Sequence, residues 1–139
     1  MIQKKIQIKS IEFLNTHIAG FAHYDGVRCF DNLKIGDELT MVLEPNNHYD
    51  HHAIALYKDD MKLGYIPRSE NNCIWAFLRM DHADLFEVFI NRISPDNHPE
   101  QQIHVSVRIV KNNESTTIYD PGDGYDQYGY EGDTGLIAD

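Results

Sequence analysis

The sequence predicts a mainly β protein built as a small closed or partly open barrel, with about six strands and one clear helix. Three observations carry this. Short apolar stretches that alternate with period two recur along the chain, the pattern of half-buried strands. Gly, Pro, Asn and Asp clusters separate them at regular intervals, as in all-β domains with short turns. Only one stretch repeats its apolar residues at helical spacing.

Residues 5–9 alternate cleanly, and Ile11-Glu12-Phe13 continues that pattern after Ser10. Residues 16–20 run to a glycine, after which Phe21-Ala22-His23-Tyr24-Asp25-Gly26 turns. Gly36 opens the next strand, with Leu39, Met41 and Leu43 on one face. Residues 53–57 point Ile54 and Leu56 inward. Asp59-Asp60 is a hairpin turn, and residues 62–66 return antiparallel to them. Ser69 is placed to cap a helix starting near Glu70. Ile74, Phe77 and Leu78 give that helix an apolar face, which fades near Met80 to His82. Residues 85–93 and 103–110 are two further strands. In the second, Ile103, Val105, Val107 and Ile109 share a face, with His104, Ser106 and Arg108 opposite.

Composition sets the domain boundaries. A chain of 139 residues with 42% apolar content suits one domain. Residues 1–114 read as that domain and 115–139 as an acidic tail, with six carboxylates, four Tyr, five Gly and no Lys or Arg. The net charge is −10, but the body holds 16 acids against all 12 bases and so carries only −4. A mildly repulsive field means that phosphate binding must rest on local charge and stacking. No run approaches the ~20 apolar residues of a membrane helix, and no signal peptide is expected. Cys29 and Cys73, lying in different segments, suit a reducing cytoplasm. No membrane partner and no cofactor are expected.

The most informative segment is Leu43-Glu44-Pro45-Asn46-Asn47-His48-Tyr49-Asp50-His51-His52-Ala53-Ile54, followed by Leu63-Gly64-Tyr65-Ile66-Pro67-Arg68. Polar turn residues interrupt two strands there and present side chains to solvent. Tyr49 can stack on a base while Asp50 accepts a hydrogen bond from a terminal ribose hydroxyl. Alternatively, Asp50 caps the turn and Tyr49 covers the barrel end. Arg68 offers a planar fork to phosphate, or pairs with Glu70 or Asp50. His48, His51 and His52 beside Asp50 lack the second pair of ligands that a structural zinc site needs, so no metal is expected. Asp120-Pro121-Gly122-Asp123-Gly124 lacks the acid spacing of a calcium loop. No nucleophile stands in an activating motif, and no enzyme activity is expected.

These segments resemble the HIRAN domain family. The match runs through Ile18-Ala19-Gly20-Phe21, Gly36-Asp37-Glu38-Leu39, the Leu43–Asp50 block, Ala53-Ile54 and Leu63-Gly64-Tyr65-Ile66-Pro67-Arg68. It covers roughly residues 10 to 110. The resemblance implies a six-stranded barrel related to OB and SH3 folds, with one or two short helices. It also implies binding of the 3′-hydroxyl end of single-stranded DNA, with links to DNA repair, as in helicase-like remodelling ATPases. On that basis Tyr49 looks like the base-stacking residue and Asp50 like the hydroxyl reader. Asn47, Tyr65 and Arg68 fall near phosphate, and His23 in the place of a second stacking tyrosine. His23 and Ala22 depart from the family's tyrosine and arginine, and His48 from its proline. The rival reading is a protein-interaction module whose groove binds a peptide or the chain's own acidic tail.

Overall fold

The computed structural model describes residues 5–110 and 116–119. Two compact units are present. In the smaller, β1 (Lys5–Ile8) and β8 (Thr116–Tyr119) form an antiparallel ladder in which Lys5 opposes Tyr119 and Ile8 opposes Thr116. The remainder of the acidic tail lies outside the described residues.

The larger unit, Ser10–Asn112, carries one six-stranded sheet. Its strands are β2 (Ser10–His17), β3 (Glu38–Leu43), β4 (Ile54–Lys58), β5 (Met61–Tyr65), β6 (Phe86–Ile93) and β7 (Ile103–Val110). Their order is β2-β7-β6-β3-β4-β5, and every pairing is antiparallel. Val88 and Ile90 from β6, and Val105 and Val107 from β7, fill the core together with Ile54 and Leu56. The expected inward faces of β4 and β7 are therefore seen.

Two local features differ from the sequence reading. The alternation in β2 is broken by a bulge between Glu12 and Leu14. An extra residue in one strand re-aims those that follow. Leu14, Thr16 and Ile18 turn inward, while Ile11 and Phe13 remain exposed. The helix begins later than expected. Arg68–Glu70 is a 3₁₀ turn, and α1 spans Asn72–Arg79 behind Asn71 rather than behind Ser69. Asn71 makes no side-chain capping bond: its amide nitrogen donates to Asp50 Oδ2 at 2.8 Å, and its Oδ1 is buried without a partner. Ile74 and Leu78 are buried as the spacing predicts, while Phe77 packs edge-on against Phe86.

The sheet curls until its edges meet, but it does not close into a full barrel. The segment that follows β2 meets β5 through one antiparallel bridge, Ala19 with Tyr65, whose two backbone hydrogen bonds measure 2.8 and 2.9 Å. Gly64 makes this approach possible. Its φ is +144°, and a Cβ there would stand 2.4 Å from the Ala19 carbonyl oxygen. The bridge forms one end of the domain, where the candidate site lies.

Candidate functional site

The loop between β3 and β4 is shaped by Asn47. Its Oδ1 accepts from the backbone N–H groups of Tyr49 (2.8 Å) and Asp50 (3.0 Å), the self-bonding that makes Asn a turn former. Its Nδ2 donates to Glu44 Oε1 at 3.1 Å and lies 3.5 Å from the Tyr65 hydroxyl. Asn47 therefore spends its polar atoms on the loop. The result holds Tyr49 out into solvent, 87% exposed, a level that rules out a packing role for its ring.

Asp50 performs the turn-capping role that its position also allowed. Oδ1 accepts from His52 N–H at 2.9 Å, and Oδ2 from the Asn71 amide at 2.8 Å. Burial pushes its pKa up. The two hydrogen bonds and the nearby Arg68 and His52 charges outweigh this, so the carboxyl stays below the usual range. A carboxylate has about four acceptor sites, so two bonds leave room for a hydroxyl. The Arg68 guanidinium is exposed and makes no ion pair among the described residues. Glu70 instead accepts from Thr16 Oγ1 at 2.5 Å.

A second layer lies beneath Tyr65. Lys62 Nζ reaches Glu44 Oε2 (2.7 Å) and the Tyr65 hydroxyl (2.6 Å), and that hydroxyl donates to Glu44 Oε1 (2.8 Å). The same ammonium sits 4.8 Å from the Tyr24 ring centroid and 4.6 Å from that of Tyr65, within cation–π range. The two rings meet edge to face at 5.6 Å. Burial, with the Glu44 carboxylate adding to it, pushes the Tyr65 phenol up to about 12 despite Lys62. Burial alone would lower the Lys62 pKa, but Glu44 and Tyr65 raise it. For Glu44, burial acts upward and Lys62, Tyr65 and Asn47 act downward more strongly, so its carboxyl lies below the usual range.

This last shift predicts a pH dependence. An acid whose folded pKa is depressed stabilises the fold above its unfolded value, about 4, and that stability is lost as pH falls through the folded pKa. Glu44→Gln should melt below wild type at pH 7, and the gap should close as pH falls through the lowered folded pKa. A gap unchanged across that range would mean that the ionised carboxylate contributes nothing.

The loop, Tyr24, Tyr65 and Arg68 border an open cavity of about 230 Å³. Ala19, Ala53 and Ile66 give it an apolar surface, and Tyr24, Asn47, Tyr49, Asp50, Tyr65 and Arg68 supply the rest. Five of the six residues singled out in the sequence meet here: Tyr49, Asp50, Arg68, Asn47 and Tyr65. His23 does not line the cavity; Tyr24 does. The 3₁₀ turn over Phe21–His23 ends at Tyr24, whose extended backbone leaves the turn and whose ring packs edge to face on Tyr65. Lys62 was not singled out, since its partner Glu44 lies at the end of another strand, 18 residues away.

The histidine cluster does not converge. His52 stacks on Trp75 at 3.8 Å and bonds Asn72 through Nδ1 at 2.6 Å. Among the described residues no group of three His, Cys, Asp or Glu is arranged to hold a metal. Cys29 and Cys73 are both free thiols. No helix among the described residues is long and apolar enough to cross a membrane.

The family model of the HIRAN domain matches residues 11–112. A crystal structure of a protein from Lactobacillus plantarum is similar at a TM-score of 0.60 and 18% identity, covering 73% of this chain and 96% of that one. The crystal structure of the HIRAN domain of human HLTF is similar at a TM-score of 0.53 and 19% identity, covering 76% and 84%. No curated protein matches the chain.

Proposed function

The chain belongs to the HIRAN domain family, and on that premise we propose that its pocket binds the end of a single nucleic-acid strand, a DNA strand with a free 3′-hydroxyl, without catalysing a reaction. The observation that carries this is the Tyr49 ring, 87% exposed on the rim of a pocket that also holds Asp50 and Arg68. Exposed aromatics serve as stacking platforms for bases. A carboxylate near a phosphate chain is repulsive unless it faces a hydroxyl donor. Asp50, with spare acceptor sites, is suited to a terminal hydroxyl. The cavity is smaller than the roughly 300–1,000 Å³ typical of whole-ligand pockets, which suits the end of a chain.

Tyr24 and Tyr65 are the aromatic walls, and Asn47 acts through loop shape rather than by touching phosphate. Charge around the pocket balances, with Arg68 against Asp50 and Lys62 against Glu44. A neutral rim favours nucleic acid over the rival peptide reading, which the overall charge of −10 would otherwise favour. Binding is expected to be weak, since the body as a whole is mildly acidic.

The test is a fluorescence-anisotropy titration with a short single strand ending in a 3′-hydroxyl, against the same strand ending in a 3′-phosphate. The phosphate should weaken binding, because Asp50 then faces a like charge. Equal affinity for both ends would remove the end-reading role. Arg68→Ala should reduce the slope of log affinity against log salt by about one phosphate contact, near 0.7 for a single strand. An unchanged slope would remove Arg68 from the interface. An acidic peptide that binds while both strands fail would favour the rival instead.

A further inference from the structure

Outside the pocket, one row of the sheet's outer face carries three groups able to hold positive charge. His17 on β2 opposes His104 on β7, and His104 opposes Arg92 on β6. Directly opposed residues share a face of the sheet. Their neighbours Ile18 and Ile103 are buried, so this row faces away from the core. The two imidazoles lie edge to face at 6.4 Å.

The row has no anionic partner among the described residues. The charges that act on His104 are those of Arg92 and His17, and no carboxylate is among them. Its Nδ1 is buried without a hydrogen-bond partner. Arg92 spends only Nε, on Ser94 Oγ at 3.3 Å. The next row holds Asn15, Ser106 and Phe89, and the acids Glu12 and Glu87 stand opposite Arg108 in the row beyond. Glu100, on the nearby 3₁₀ turn, is engaged through both oxygens by Gly20 N–H at 3.0 and 3.1 Å. Opposed like charges weaken a sheet, and an arriving anion would relieve that repulsion.

The row also adjoins the pocket. His17 stands two residues before the pocket-lining Ala19, about 6.6 Å along an extended strand, and Ile18 between them points inward. The geometry points to a second, phosphate-binding site, in which His17, His104 and Arg92 receive the backbone of the strand whose end occupies the pocket. This site rests on the pocket being a strand-end site. Each imidazole donates an N–H to a phosphate oxygen, and Arg92 offers its remaining donors. Burial, Arg92 and His17 hold the His104 pKa down in the free protein. A bound phosphate offsets the repulsion, so binding takes up protons and strengthens as pH falls.

The experiment compares strands of three and eight nucleotides, both with a free 3′-hydroxyl, by anisotropy at pH 7.5 and 5.5. The short strand reports the pocket alone and controls for histidines near it. The longer strand should bind tighter, and its advantage should grow to about tenfold at pH 5.5 through the added phosphate contacts. His17→Gln with His104→Gln should abolish the pH-dependent part and leave the short strand's affinity intact. The exposed Arg92→Gln should reduce the advantage at both pH values. If the longer strand's advantage is the same at both pH values in wild type, the second site is wrong while the pocket stands. The same follows if the advantage survives in all the variants. If neither strand binds, the pocket reading falls and this site with it.

Discussion

Gly64→Ala should lower the melting temperature further than any substitution on the surface of this domain. At φ +144° an L side chain is strained, and the added Cβ would meet the Ala19 carbonyl oxygen at 2.4 Å and Ile18 Cγ2 at 2.6 Å. The strain costs about 1–3 kcal/mol, and forcing a methyl into a packed site about 1–3 more. Because the oxygen belongs to the backbone, relief requires β5 and the segment after β2 to separate, which breaks the Ala19–Tyr65 bridge. A total near 3 kcal/mol corresponds to a fall of roughly 12–24 °C for a domain of this size. Gly36→Ala is the control. Its φ is +97°, yet a Cβ there meets nothing within 4 Å, so it carries strain without the clash. Thermal melting of both variants decides the matter. If Gly64→Ala melts no lower than Gly36→Ala, the close approach of the two strands is not what requires glycine. Because the bridge residues line the pocket, strand binding should be lost along with stability in Gly64→Ala.

The second large effect is on binding rather than folding. Tyr49→Ala should weaken a single strand by about 1–3 kcal/mol, roughly 5- to 150-fold in Kd, through lost stacking. The melting temperature should stay where it is, because the ring is 87% exposed. Tyr49→Phe should keep most of the affinity, since the stacking surface survives. A Phe variant as weak as the Ala variant would move the role from the ring to the hydroxyl. A large melting loss in Tyr49→Ala would contradict the exposed position of the side chain. Asp50 cannot be read so simply. Its carboxylate also holds His52 and the buried Asn71, so Asp50→Ala would mix a binding defect with the cost of an unpaired buried amide, about 1–3 kcal/mol.

Much of the architecture was legible because strand signals are local. The period-two runs of β6 and β7 required one buried face, and the two-residue Asp59-Asp60 turn left β4 and β5 no option but to pair antiparallel. The loop carrying Tyr49 and Asp50 was legible for the same reason, since Pro, Asn and Asp between two apolar runs define a turn whatever surrounds it. The position of the helix start was not. Ser69 is a good cap by type, but Asn71 is committed to Asp50, 21 residues away, and no local rule can see that bond.

The sequence by itself determined the strand segments, the hairpin and the residue types of the exposed loop, because each follows from preferences acting over a few neighbouring residues. Only the tertiary structure decided that the segment after β2 meets β5 at one bridge, that Tyr24 rather than His23 enters the pocket, and that Lys62 is tied to Glu44 and Tyr65. It alone put His17, His104 and Arg92 in one row. Each of these depends on the curl of the sheet, a bulge or a cross-strand register. Those are set by packing among residues far apart in the chain, where local preference has nothing to say.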